Sequence, residues 1–168
     1  NMTTEAGAKN GIIEADQKTI NYLQQRGATN LKQIKSDDDA EYAKVFEYEA
    51  SEIEPVVAKP FSPENITQVR DVSSVELDKA YIGSCTGAKY EDLLAAAKIL
   101  KGKQVKIRTE VLPAAISIYK KAMQDGLLQI FIDAGAMVGP PTCGACCGAH
   151  MGVLAKDEVC ISTTNRNF

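Results

Sequence analysis

The chain has 168 residues, 45% of them hydrophobic and 24% charged, which suits one domain, or a domain plus part of another, with a buried core. A formal net charge of −3 leaves no basic footprint for nucleic acid, and lysines interspersed with acids read as solvated surface. No apolar stretch approaches the ~20 residues needed to cross a bilayer, so no membrane partner is expected.

The opening "NMTTEAGAKNG" has no charged region followed by an apolar one, so no signal peptide is expected. It lacks an initiator methionine and the chain stops at "TTNRNF", so both ends are expected to be cut from something longer. Asp16 can cap a helix through "QKTINYLQQRG", with Gly27 as its stop. The run Asp37-Asp38-Asp39 reads as a loop or a helix start rather than a metal site. "KVFEYEA" alternates, putting Phe46, Tyr48 and Ala50 on one face, and predicts a half-buried strand. Pro55, Pro60 and Pro63 in "EPVVAKPFSPEN" forbid regular helix or a central strand, so residues 54–74 read as a linker after a first unit of 1–53.

From about Val75 strands and helices alternate through 75–168. "KAYIGS" predicts a short buried strand, "YEDLLAAAKILKG" a helix ending at Gly102, and "QVKIRTE" the next strand. "PAAISIYKKAMQDG" predicts a helix with Pro113 at its start and Gly126 at its end. "LLQIFIDAG" reads as a helix capped by Gly135, and "EVCISTT" as a final strand. Such alternation implies an α/β fold with a mainly parallel sheet and covering helices. Cys85 then falls just past the carboxyl end of one strand and "NRN" past the end of another, the edge where open α/β sheets bind ligands.

Four of the five cysteines lie in two motifs: "YIGSCTGAKYEDL", and "PPTCGACCGAHMG" beginning at Pro140, which also holds the chain's one histidine. An odd count with uneven spacing is no disulfide framework and points to a reducing compartment, cytoplasmic or a plastid stroma. Cys85, Cys143 and Cys146 could hold an iron–sulfur cluster, since thiolates are soft anionic ligands for iron. Three protein ligands would leave one iron open as a Lewis acid, and Gly144 and Gly148 would let backbone amides approach the cluster sulfurs. Zinc on Cys85, Cys143, Cys146 and His150 is the second reading, and a redox pair Cys143/Cys146 the third. The bland alternative is that the cysteines are small buried hydrophobes; it suits Cys160 in mid-strand, and Cys147 leans the same way. Spacing alone leaves iron–sulfur and zinc open.

The segments "YIGSCTGAKYEDLLAAAKILKGK", "PPTCGACCGAHMGVLA" and "STTNRNF", with "NMTTEAGAKNGIIEAD" and "VAKPFSPENI", resemble in collinear order the aconitase superfamily. The likeness is to its 3-isopropylmalate dehydratase large subunits and to the related homoaconitase and 2,3-dimethylmalate dehydratase. It implies aconitase-like α/β/α layers: residues 1–53 as the end of one domain, 54–74 as linker, and 75–168 as a truncated cluster-binding domain. It implies a [4Fe–4S] cluster on Cys85, Cys143 and Cys146, and substrate binding by Asn165 and Arg166 of "NRN". Arg166 offers a charged fork matched to a carboxylate, although an arginine without context is ordinarily plain surface. Glu5, in "TEAGA", resembles an acidic residue that hydrogen-bonds an active-site histidine, but that histidine is missing here and Glu5 could equally be a surface glutamate.

The implied reaction is a hydro-lyase one: 2-isopropylmalate and 3-isopropylmalate exchange by dehydration and rehydration in leucine biosynthesis. The base serine belongs to a swivelling domain or small-subunit partner. The family's amino-terminal catalytic residues are also absent, so this chain by itself is expected to have no turnover. Two departures stand out: "TGA" where family members often have T-N-G or T-G-G, and Cys147 where leucine or isoleucine is common.

Overall fold

The structure is a computed structural model describing Thr3 and residues 7–166. Cα proximity groups the chain into two compact units, Asn1–Ile53 and Glu54–Phe168.

In the first unit the regular elements among the described residues are helix α1, Gln17–Gln24, and a 3₁₀ turn at Ala50–Glu52. Asp16 caps α1: its Oδ1 accepts from Thr19 N and Thr19 Oγ1, both at 2.8 Å. Gly27, at φ +82°, lets Ala28 N return to Leu23 O at 3.1 Å and close the helix as expected. The strand expected over "KVFEYEA" does not form, because no strand pairs with it among the described residues. Its period-2 alternation still holds: the Phe46 and Tyr48 rings stack at 6.4 Å on one side, yet they are 63% and 78% exposed. A strand without a hydrogen-bonding neighbour leaves its backbone to water, so side-chain alternation alone cannot stabilise it.

The second unit opens with an antiparallel pair, β1 (Val56–Ala58) and β2 (Ile66–Gln68). The proline-marked loop between them is closed by Lys59 N to Asn65 O at 2.9 Å. The prolines sit outside both strands, so they set the loop rather than forbid the pairing.

A four-stranded, fully parallel sheet follows, in the order β5–β4–β3–β6. Strand β3 is Lys79–Gly83, β4 is Arg108–Leu112, β5 is Met137–Val138 and β6 is Cys160–Ser162. A helical turn α2 (Ser84–Gly87) and helix α3 (Tyr90–Leu100) join β3 to β4; α4 (Ile116–Gln124) and α5 (Leu127–Asp133) join β4 to β5. The glycine stops are where the sequence puts them: Gly102, Gly126 and Gly135 have φ of +73°, +74° and +84°. Pro113 ends up before α4 rather than inside its first turn, because Ala115 is the cap.

Strand β4 starts later than "QVKIRTE" implied. Its first registered pair is Arg108 with Lys79, and upstream Val105 N bonds Ala134 O at 2.9 Å, tying that stretch to the end of α5. Register then decides which side chains share a face. Ile82, Val111 and Val138 pack with Leu93 and Ala97 of α3, Ala122 of α4, and Leu127, Leu128 and Phe131 of α5 in one apolar cluster. Lys79, Tyr81, Glu110 and Leu112 alternate to the opposite side. The loop between β5 and β6, which carries three of the cysteines, contacts them there.

Candidate metal and acid-binding site

Because all four strands run the same way, their carboxyl ends share one edge. β3 ends in the turn bearing Cys85, β4 at Pro113, and β6 in residues 163–166. This edge brings the Cys85 turn and the segment after β6 together. Gly83 N donates to Thr163 Oγ1 at 3.1 Å, Thr163 Oγ1 donates to Gly87 O at 2.8 Å, and Thr163 N donates to Tyr81 O at 3.0 Å. Thr86 Oγ1 donates to Asn165 Oδ1 at 2.9 Å, so Asn165 is held one residue from Cys85. Gly87 is obligatory: a Cβ there would drive into the backbone of Thr163. Ser84, buried and at φ +69°, carries a left-handed conformation unusual for a side-chain-bearing residue. Cys85, the next residue, is exposed.

Cys143 precedes a 3₁₀ turn, Gly144–Cys147, in which Cys146 N donates to Cys143 O at 3.0 Å. That turn sets the separation of Cys143 and Cys146. Gly144, at φ +51°, is buried against the sheet: a Cβ would meet Leu112 Cδ1 at 2.5 Å and Tyr81 Oη at 2.8 Å. Its smallness thus serves close packing on β3 and β4, whereas Gly148 has open space around it.

The thiols form one electrostatic group. Cys143 is pushed above its ordinary value first by partial desolvation of its sulfur, then by the thiolates of Cys147, Cys146 and Cys85. Cys143 is exposed as a residue, so crowding by neighbouring thiols is the more informative cause. Burial, followed by the charges of Cys146 and Cys143, likewise raises the Tyr81 phenol, which stays a proton donor. Cys147 Sγ points back to Gly144 O at 3.6 Å.

Among the described residues no three His, Cys, Asp or Glu side chains converge on a single metal ion. A closed zinc site needs four donors at ~2.0–2.3 Å from one centre, and exposed His150, at φ +69°, is not drawn into such a set. A polynuclear cluster is wider than one ion and is gripped at its corners, so mutually interacting soft thiols at one rim fit that demand without converging on a point. Cys160 is a half-buried thiol raised by burial, and it opens β6 rather than standing in mid-strand as expected, because the strand begins only where Lys79 pairs with it. Glu5 lies outside the described residues. Arg166 is exposed, and its carbonyl accepts from Thr164 Oγ1 at 3.3 Å. The groove lined by Gln17, Ile20, Gln24, Ala28, Leu31 and Gln33 belongs to the first unit and presents no cysteine or acid.

Motif reading alone passed over Tyr81, Thr86, Thr163 and Lys79. Their only signal is position, next to or within "GSCT" and "TTN" or at the head of the strand leading there.

The sequence that builds this parallel sheet, with its Gly-Ser-Cys-Thr turn, Cys-x-x-Cys turn and Asn-Arg segment, matches the family model described as "Aconitase family (aconitate hydratase)" over residues 1–74 and 67–168. The chain belongs to the aconitase family. It is 52% identical over 170 residues to the 3-isopropylmalate dehydratase large subunit of Heliobacterium modesticaldum, covering 100% of this chain and 40% of that protein. It is 50% identical over 172 residues to 3-isopropylmalate dehydratase large subunit 1 of Pyrococcus abyssi, covering 100% and 41%. The 3-isopropylmalate dehydratase large subunit of Halothermothrix orenii is 52% identical over 170 residues, with 100% and 40% covered. The chain thus spans about two fifths of the length of the curated relatives it matches. No helix among the described residues is long and apolar enough to cross a membrane.

Proposed function

We propose that this chain is the cluster-binding part of a hydro-lyase that interconverts 2-isopropylmalate and 3-isopropylmalate in leucine biosynthesis. Cys85, Cys143 and Cys146 would hold a [4Fe–4S] cluster. When bound, such a cluster supplies an open iron that acts as a Lewis acid toward a leaving hydroxide. The chain's own residues bind and orient the acid. Arg166 pairs with a carboxylate through its planar fork. Asn165 is anchored through Oδ1 by Thr86 and adds amide N–H donors to the same carboxylate-binding rim. Glu5 keeps a proton-handling role in this proposal.

The observation that carries the reading is the Thr86–Asn165 bond, which ties the Cys85 turn to the Asn-Arg segment at the edge that also bears the Cys143 turn. The relatives' names, 3-isopropylmalate dehydratase large subunits, support the choice of substrate and a small-subunit partner; the proposal assigns the base to that partner. The same proposal assigns 1–53 to the end of one aconitase-type domain, 75–168 to the cluster domain and 54–74 to their connection. It sets the protein in a reducing compartment, cytoplasmic or plastid stroma, as the thiol chemistry requires.

The test is an assay of 2-isopropylmalate turnover with the remaining large-subunit sequence and a small subunit supplied. Interconversion of the two acids, abolished by Cys85→Ser and weakened at the KM level by Arg166→Met, is expected. Turnover that survives Cys85→Ser would refute it.

A further inference from the structure

Strand β3 contributes more to the site than the turn at its end. Lys79 and Tyr81 lie two residues apart on the same face, both buried, with Lys79 0% exposed. Each reaches a different end of the cysteine loop. Tyr81 Oη donates to Cys143 O at 2.9 Å, the same carbonyl that accepts Cys146 N at 3.0 Å. Lys79 Nζ donates to Gly152 O, just beyond the Cys143–Cys147 turn. The ammonium is balanced from the neighbouring strand by Glu110, whose Oε2 lies 2.9 Å away with its side chain 4% exposed. Oε2 makes no directional hydrogen bond, so charge rather than geometry joins the two.

Glycines seal both ends. Gly144 leaves room for Tyr81 Oη and Leu112, and Gly152 has no side chain because Lys79 and Glu110 occupy its space. Between these two points the loop is fixed relative to the sheet, and therefore relative to Cys85, which leaves the same strand two residues after Gly83.

We infer that Lys79 and Tyr81 are positioning residues, a two-point clamp by which β3 sets the distance between Cys85 and the Cys143/Cys146 turn. The inference rests on the reading of these cysteines as ligands of one group. Groups that orient ligands typically change metal affinity ~10–100-fold when removed.

Tyr81→Phe keeps the ring and removes only the bond to Cys143 O. In the metal-free full chain we expect the ratio of alkylation rates, Cys143 to Cys85, to rise at least ~3-fold while far-ultraviolet circular dichroism is unchanged. After reconstitution with iron and sulfide, the variant should release iron to a chelator ~10-fold faster than wild type, and after one-electron reduction with dithionite its electron paramagnetic resonance signal should be shifted. A merely structural role would change thermal melting but not this site-selective ratio. Should Tyr81→Phe fail to fold, Gly144→Ala, whose methyl pushes the turn off Tyr81 Oη, is expected to raise the ratio in the same direction. An alkylation ratio equal to wild type in the folded variant overturns the clamp. Wild-type chain that takes up no iron would instead refute the ligand assignment, and the alkylation ratio would still decide the clamp.

Discussion

Thr86 and Asn165, 79 positions apart, are joined by a 2.9 Å hydrogen bond from the threonine hydroxyl to the amide oxygen. One bond thereby couples the turn that presents Cys85 to the segment proposed to grip a carboxylate. Thr86→Val keeps the shape and removes the donor, which costs about 1 kcal/mol, roughly fivefold in an equilibrium. In the assembled enzyme the expected result is a KM raised about fivefold with kcat little changed. Steady-state kinetics on 2-isopropylmalate checks it, and an unchanged KM would detach Asn165 from substrate binding.

Gly87 is the tightest point of the same junction. A methyl there would lie 2.5 Å from Thr163 Oγ1 and closer still to that residue's carbonyl, so backbone must shift. Gly87→Ala should destabilise the chain by about 1–3 kcal/mol, in the range of overpacked cores. Urea unfolding gives the number directly.

The buried Lys79–Glu110 pair makes a sharper stability prediction. Lys79→Met leaves the buried Glu110 carboxylate uncompensated and should cost about 3–5 kcal/mol. The double change Lys79→Met/Glu110→Leu removes both charges and should recover most of that loss. A double-mutant cycle by chemical denaturation checks both.

How much of this was legible beforehand depends on how local the cause is. Helix ends were readable because Gly27, Gly102 and Gly135 act within one turn, and a shared edge for Cys85 and "NRN" followed from both lying past the carboxyl ends of parallel strands, although the β3–β6 adjacency did not. The clamp was not readable. A lysine opening "KAYIG" looks like a solvated strand end, and its buried partner Glu110 is supplied by the neighbouring strand through a register no local pattern encodes. The two-residue strand Met137–Val138 was invisible for the same reason, since neighbours and not propensity make it a strand. "KVFEYEA" failed in the other direction: its alternation is real, but a strand also needs a partner.

Acid should weaken the fold in a definite window. Asp16 is held below its ordinary value of 3.8 by the Thr19 backbone N–H, and Glu158 below 4.5 by the Ala155 N–H and then by Arg108. Folded values below unfolded ones mean that the contribution is complete above about pH 4.5 and is lost as pH falls through the lower folded values. Thermal melts between pH 5 and pH 2, on the order of that window, should show a falling Tm, with a flatter fall in Glu158→Gln.

Anaerobic reconstitution of the chain with iron and sulfide, across single Cys→Ser variants, decides whether Cys85, Cys143 and Cys146 hold a cluster. The wild-type chain is expected to take up about four irons and four sulfides, with broad visible absorption. That uptake should be lost in the serine variants of Cys85, Cys143 and Cys146 and retained in those of Cys147 and Cys160. A wild-type chain that binds no iron, or an uptake that depends on Cys147 and not on Cys85, would contradict this assignment.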